Sequence, residues 1–182
     1  FPALSRLTDN GYAYEINYNI VKTFTCEGGQ ATVALKDNLR YSDGTSVTAE
    51  DFIAYYEFVS ASSDKMPMQW QYVYEIIPEN DTTFQIYFTD EIDPVYVLRE
   101  MRAIPSGVLQ EWGSSTPARA NVLCAYGEIP SYGKYSVKAN ILTEGIHLVL
   151  NEYYTGAGNS ENRNIRIAVT NDSRIHVNGF DA

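Results

Sequence analysis

Hydrophobic and polar residues alternate along several stretches of the chain, a period of two that is typical of half-buried strands. Residues 12–20 place aromatic or aliphatic side chains at every second position, and residues 31–36 and 83–89 show the same pattern. Cys26-Glu27-Gly28-Gly29 lies between the first two stretches and predicts a turn, because glycine tolerates positive φ. We therefore predict that residues 12–20 and 31–36 are paired strands. Further strands are predicted at 83–89, 135–139, 146–150 and 165–169.

Three shorter stretches have the features of helices. Thr48-Ala49-Glu50-Asp51 predicts a helix start, because the threonine hydroxyl can accept from a free N–H and acidic residues favour the positive end of the helix dipole. An apolar stripe over residues 52–59 continues this helix, and Asp93-Pro94 predicts the start of a second. Residues 107–112 predict a third. Because helices interrupt the strands in blocks, we predict an α+β fold with a largely antiparallel mixed sheet and two or three short helices.

Composition narrows the possible functions. The 182 residues are 45% hydrophobic, which is ordinary for a globular chain, and their net charge is −10. This charge argues against a nucleic-acid partner, which would require clustered cations. No apolar run approaches the roughly 20 residues of a membrane-spanning helix.

Residues with catalytic or metal-binding chemistry are few and scattered. His147 and His176 lie in strand-like segments without helical partners or nearby cysteines, so we expect no metal site and no cofactor. The acidic residues fall at turns and helix starts, where capping explains them, and we expect no enzyme activity; a hydrolase using these carboxylates is the alternative. For Cys26 and Cys124 we expect two inert thiols, with one disulfide as the alternative in an oxidising compartment.

Fifteen tyrosines are the main excess in the composition. A tyrosine combines an apolar ring with a polar tip, so it suits a surface that buries a ligand and also hydrogen-bonds to it. We expect most of these tyrosines to be core or sheet residues and two or three to line a recognition surface.

Residues 33–52 carry a longer motif: an apolar strand, the Lys36-Asp37 pair, the Asp43-Gly44 turn and the Thr48 helix start. This segment resembles the extracellular solute-binding proteins of family 5, the oligopeptide, dipeptide and nickel receptors of ABC importers. Three later segments are similar to the family's motifs and follow in its order, namely residues 77–88, Tyr132-Gly133-Lys134-Tyr135-Ser136-Val137 and Asn151-Glu152-Tyr153-Tyr154-Thr155-Gly156. Lys134 and Thr155 depart from the family's usual proline and tryptophan.

The resemblance implies a fragment of a two-lobed, periplasmic-binding-protein-like fold. Residues 1–20 would be the entry strand of the first lobe, residues 21–130 a small α+β subdomain, and residues 131–182 part of the first lobe, with the second lobe missing. Asp43, Gly44, Thr48 and Asp51 would be scaffold residues. Trp70, Tyr72 and Tyr74 would contact the ligand, with burial in the sheet as the alternative for all three.

The resemblance also implies a function outside the cytoplasm. The protein would capture a small solute, most simply an oligopeptide, and deliver it to an ABC permease of the cell membrane. The full-length protein would be located at the cell surface and anchored as a lipoprotein. The alternative is a surface interaction or adhesion module that retains the receptor lobe. Neither function requires a cofactor or nucleic acid.

Overall fold

The computed structural model describes residues 1–61, 66–89, 92–112, 129–141, 145–155, 163–169 and 175–180. These residues confirm the α+β fold, with ten strands and three short α-helices. The strands are β1 (Ser5–Leu7), β2 (Tyr14–Ile16), β3 (Val21–Glu27), β4 (Gln30–Leu35), β5 (Val73–Asn80), β6 (Thr83–Phe88), β7 (Tyr135–Ile141), β8 (Gly145–Leu150), β9 (Asn164–Val169) and β10 (Ile175–Phe180). The helices are α1 (Ala49–Ser60), α2 (Pro94–Leu98) and α3 (Ser106–Trp112), and a 3-10 helix spans Met68–Tyr72.

The strands form three sheets, and every pairing among the described residues is antiparallel. A small sheet pairs β1 with β2. A central sheet has the order β3-β4-β6-β5, and a C-terminal sheet has the order β10-β9-β8-β7. The largely antiparallel arrangement predicted from the sequence is therefore confirmed.

The predicted pairing of residues 12–20 with residues 31–36 is wrong. Strand β4 pairs instead with β3, which follows residues 12–20 directly. The alternation of residues did not indicate that β3 is a separate strand. The backbone turns at Asn17, whose carbonyl accepts from the N–H groups of Ile20 and Val21 at 3.0 and 2.9 Å. Because this turn interrupts the pattern, only Tyr14–Ile16 remains as strand β2, and it pairs with the three-residue strand β1.

Helix α1 begins where the sequence predicted. The backbone N–H of Thr48 donates to Asp51 Oδ2 at 2.9 Å, which is half of a capping box. The helix buries Phe52 against the central sheet, where its ring stacks on Phe84 with centroids 5.9 Å apart. Helix α2 also begins as predicted, because the Asp93 side chain accepts from the N–H of Val95.

One large hydrophobic core joins the N-terminal sheet, the central sheet and helices α1 and α2. Its largest fully buried side chains include Trp70, Tyr41, Tyr132, Phe52 and Phe84. Among the described residues, the C-terminal sheet adds none to this core. That sheet joins the rest of the molecule through the segment around Tyr132, immediately before β7.

Candidate functional site

The segment predicted to contact a ligand lies at one edge of the central sheet, and its three aromatic residues have different surroundings. Trp70, in the 3-10 helix, is only 1% exposed; its Nε1–H donates to the Val97 carbonyl at 3.3 Å. The indole packs against Tyr56, with ring centroids 5.1 Å apart, and lies edge-on to Tyr55. Trp70 therefore holds the 3-10 helix against α1 and α2. Tyr72 is half-buried, whereas Tyr74 on β5 is 74% exposed.

Strand β5 is an edge strand, because β6 is its single partner in the sheet among the described residues. It is irregular: its register shifts twice, between Val73 and Glu75 and again between Pro78 and Asn80. Pro78 suits such an edge, since proline cannot donate to a second neighbouring strand. Tyr74 and Ile77 are both exposed along it. This edge can therefore be reached by a ligand.

The four predicted scaffold residues lie together around the start of α1. Asp43 Oδ1 accepts from the N–H and the hydroxyl of Thr45, and Gly44 takes φ +86°, a conformation that favours glycine. Asp51 is 5% exposed; besides capping α1, its Oδ1 accepts from the N–H of Ser106 at 2.8 Å. This carboxylate thus ties the start of α3 to the start of α1.

A cavity of about 440 Å³ lies beside these residues, lined by hydroxyl and carboxylate groups and by prolines. Tyr41 lines it with a ring that is 1% exposed, and its hydroxyl has no hydrogen bond of normal geometry to a described group. Burial, and after it the charge of Asp51, raise the pKa of Tyr41 far above its usual value, so the hydroxyl stays protonated.

At their junction, polar contacts join the C-terminal sheet to the rest of the molecule. The residues that make these contacts were predicted from the sequence only as parts of family motifs. Asn151 Nδ2 donates to the carbonyls of Ser131 and Gly133 at 3.0 and 3.1 Å, and its Oδ1 accepts from the N–H of Tyr153 at 3.0 Å. The Tyr153 ring then packs against Gly44 of the Asp43-Gly44 turn. Asn151 therefore links the loop before β7 to the loop after β8 and positions Tyr153 beside the Asp43-Gly44 turn.

Tyr132 anchors the same junction inside the core. Its hydroxyl accepts from the N–H of Ala103 at 3.1 Å and donates to the carbonyl of Pro2, so it joins segments that are far apart in sequence. Burial is the main reason that the pKa of Tyr132 is raised above its usual value. The hydroxyl is therefore a donor and an acceptor at neutral pH, as both contacts require.

A cluster of Tyr14, Tyr96 and Arg99 was missed by the sequence analysis. The Arg99 Cζ lies 4.4 Å from the centroid of the Tyr96 ring and 5.6 Å from that of Tyr14. Both tyrosines are exposed. No local pattern could have indicated this cluster, because Tyr14 is on β2 and the other two residues are on or just after α2.

The described residues offer little reactive chemistry. No group of three or more histidine, cysteine or acidic side chains is placed among them to hold a metal ion. Cys26 is a free cysteine and an exposed residue; partial desolvation of its thiol, and after it the charge of Asp93, raise the pKa of the thiol. Cys124 lies outside the described residues, so the disulfide alternative stays untested. In the described part of the chain, no helix has the length and hydrophobicity needed to cross a membrane.

Sequence comparison identifies a family for most of the chain. The family model described as bacterial extracellular solute-binding proteins, family 5 Middle, matches residues 25–182. No curated protein sequence matches significantly.

Solved structures of binding proteins share the fold. The periplasmic EDTA-binding protein EppA has a TM-score of 0.73 at 14% identity, over 90% of this chain and 32% of its own. The oligopeptide-binding protein AppA from Bacillus subtilis, in complex with a nonapeptide, has a TM-score of 0.71 at 16% identity, over 85% of this chain and 31% of its own. NikZ from Campylobacter jejuni, in complex with Ni(L-His), has a TM-score of 0.66 at 16% identity, over 85% and 30%. The chain thus spans about a third of the length of these structures.

Proposed function

The chain belongs to the bacterial extracellular solute-binding proteins of family 5, and from this premise we propose that it is part of the substrate-binding component of an ABC importer. In this proposal the protein captures a small solute outside the cytoplasm and passes it to a permease in the cell membrane. A peptide is the solute that we favour. The protein performs no bond-making step.

The observation that carries the proposal is the family match over residues 25–182, which includes the motif-bearing turn, the helix start and most of the strands. The shared fold supports it, because the neighbours are named as binding proteins for EDTA, for oligopeptides and for Ni(L-His). These solutes differ widely in chemistry, so the fold alone does not select one of them.

We further propose that the 182 residues form the N-terminal lobe and that a second lobe completes the cleft. Within the lobe, residues 1–20 would be the entry strand, residues 21–130 the small subdomain and residues 131–182 part of the first lobe proper. Two-lobed receptors close on their ligand by hinge motion, and binding energy comes from both faces of the cleft. We place the protein at the cell surface as a lipoprotein in its full-length form.

The residues that this proposal assigns to the ligand site are Trp70, Tyr72 and Tyr74, of which Tyr72 and Tyr74 would contact the ligand. Tyr74 is the best placed of them, because its ring is exposed on an edge strand where an extended peptide could also pair with the backbone. The half-buried Tyr72 would contribute its accessible side. Trp70 would act from the core by keeping the 3-10 helix in place, since it is 1% exposed.

Native mass spectrometry of the full-length protein, purified from its own host, tests the solute-binding function. We expect a small molecule of defined mass to travel with the folded protein and to be released on denaturation. Calorimetry with that molecule then compares Tyr74→Ala with Tyr12→Ala, a matched control at a position that is 92% exposed on the β1–β2 turn. Loss of an aromatic contact should lower the affinity about tenfold in the first variant only.

Two results would contradict parts of this proposal. If no small molecule is bound, and the protein instead adheres to a cell-wall or protein surface, the result supports the adhesion alternative. The exposed tyrosines would then be the contact residues. If the 182-residue chain alone binds the solute as tightly as the full-length protein, the second lobe is not required.

A further inference from the structure

The negative charge of the protein is concentrated in one segment of the chain. Residues 41–98 hold eleven acidic residues and one lysine, so this segment alone accounts for the net charge of −10, and the rest of the chain is neutral. The segment includes the β5–β6 hairpin, which has no lysine, arginine or histidine. The edge strand at which we place the solute therefore belongs to the acidic part of the chain.

Two carboxylates follow each other along the outer face of β5. Glu75 and Ile77 are directly opposite Tyr87 and Gln85 of β6, and Glu79 accepts from the side-chain amide of Gln85. This face is turned away from the core, because the residues that alternate with these two on β6 are the buried ones. All three β5 side chains are exposed, in the order carboxylate, apolar group, carboxylate. A strand rises about 3.3 Å per residue, so the two carboxylates are roughly 13 Å apart.

These two carboxylates keep their negative charges. Neither Glu75 nor Glu79 has an ion-pair partner among the described residues. The single printed contact of Glu79 is with a neutral amide, which does not compensate a charge. The outer face of β5 can therefore attract a cation at each end.

The backbone of β5 has hydrogen-bonding groups that β6 does not use. The Thr89 N–H donates to the Tyr72 carbonyl, so every second residue of β6 from there directs its backbone groups toward β5. Their partners on β5 bond to β6, and the residues between those partners, Ile76 and Pro78, direct their backbone groups outward. Ile76 offers an N–H and a carbonyl, and Pro78 offers a carbonyl. A strand can pair with these groups.

The irregular features of β5 restrict which strand can pair with it. Charged side chains, prolines and bulges on an edge strand normally prevent it from pairing with other strands. On β5 both charges are negative, so they repel an acidic strand, including the same edge of a second copy, and attract a cationic one. The two register shifts leave only residues 75–78 regular. This edge therefore suits a short, positively charged segment.

We propose that the edge of β5 binds an extended peptide with two positively charged residues, as an added antiparallel strand. This inference rests on the proposed function and specifies its solute. The cationic side chains lie opposite Glu75 and Glu79, with an apolar residue opposite Ile77, and opposite charges across two strands attract each other. The two residues between them pair with Ile76 and Pro78. The orientation is that of every described strand pair in the central sheet.

Calorimetry on the full-length protein, freed of any co-purified molecule, tests the charge requirement. The probes are N-acetyl-Lys-Ala-Leu-Ala-Lys-amide and the same peptide with glutamine or glutamate in place of both lysines. We expect the lysine peptide to bind about tenfold more tightly than the glutamine peptide, and the glutamate peptide not to bind. The advantage of the lysine peptide should decrease at high salt, which screens exposed charges. Equal affinities for the lysine and glutamine peptides would overturn the inference.

N-methylated peptides test whether the ligand is added as a strand. In the proposed register the N–H groups of the two alanines face Pro78 and Ile76, whereas the N–H of the leucine points away. Methylation of both alanine nitrogens should therefore abolish binding of the lysine peptide, and methylation of the leucine nitrogen should change its affinity less than about twofold. Equal effects of the two modifications would mean that charge alone attracts the peptide, and strand addition would be refuted.

Variants test the two carboxylates. Glu75→Gln and Glu79→Gln each remove one charge, and we expect each to weaken binding of the lysine peptide about two- to fivefold. Glu27→Gln is the matched control, because Glu27 is an exposed carboxylate on β3, at the opposite edge of the same sheet. It should leave the affinity unchanged; an equal loss in all three variants would assign the attraction to net charge and contradict the site.

Failure of this inference differs from failure of the proposed function. If native mass spectrometry finds a bound solute but the lysine peptide does not bind, the solute-binding function stands and the inference is wrong. If neither a bound solute nor peptide binding is found, both are wrong. Binding of the lysine peptide that depends on Glu75 and Glu79 supports both.

Discussion

Replacement of Gly44 by alanine should destabilise the protein for two separable reasons. Gly44 has φ +86°, and a residue with a Cβ pays about 1–2 kcal/mol in this left-handed region. Alanine also restricts the unfolded chain, which returns about 0.4–1 kcal/mol. The second reason is steric, because a Cβ at Gly44 would lie 3.1 Å from both Cζ and Oη of Tyr153.

The combined loss of stability is modest because the Tyr153 side chain can move. Its ring is exposed, so it can swing away from the new Cβ, and what is lost is its contact with the turn. We expect Gly44→Ala to lower the free energy of unfolding by about 1–2 kcal/mol. For a chain of this length, this corresponds to a decrease in Tm of about 2–8 °C.

Gly11→Ala is the matched control. Gly11 has φ +76°, but a Cβ there would meet nothing within 4 Å. Thermal unfolding followed by circular dichroism should therefore show a smaller loss for Gly11→Ala than for Gly44→Ala. In a Tyr153→Ala background the two losses should become equal, because the steric part is removed. If the losses are equal in the parent chain, the contact with Tyr153 carries no energy; if neither variant is destabilised, the strain argument itself is refuted.

Three further predictions concern other parts of the molecule. Asn151→Ala leaves two main-chain carbonyls of the junction without their donor and should cost about 2–4 kcal/mol in urea unfolding, whereas a loss below 0.5 kcal/mol would contradict the role of this side chain. Trp70→Ala removes a buried indole from the core and should cost about 3–5 kcal/mol by the same measurement; a near-neutral result would show that the indole does not hold the 3-10 helix. The raised pKa of Cys26 predicts slow alkylation by iodoacetamide at neutral pH, with a rate that rises at higher pH than for a cysteine of unperturbed pKa. Asp93→Asn keeps an N-cap for α2 but removes the charge, so it should move this profile to lower pH, and an unchanged profile would exclude the electrostatic contribution.

Local signals accounted for the parts of the fold that depend on neighbouring residues. The capping residues of α1 and α2 and the Asp43-Gly44 turn are determined within a few positions of the chain, and the structure has each of them where the sequence indicated. Strands β4 and β6 were found for the same reason, because alternation over six residues defines a face whatever the partner is. The family motif extended these local features to a fold class.

Contacts between residues that are distant in sequence could not be predicted from the sequence pattern and are known only from the tertiary structure. The partner of β4 depended on a turn at Asn17 that divides one alternating stretch, and the sequence pattern does not reveal where a backbone turns back. Trp70 and Tyr74 are similar in type and only four positions apart, but the 3-10 helix buries one and the edge strand exposes the other. The cluster around Arg99 depends on packing β2 against α2. Such placements arise from long-range burial and charge pairing, which short-range periodicity does not encode.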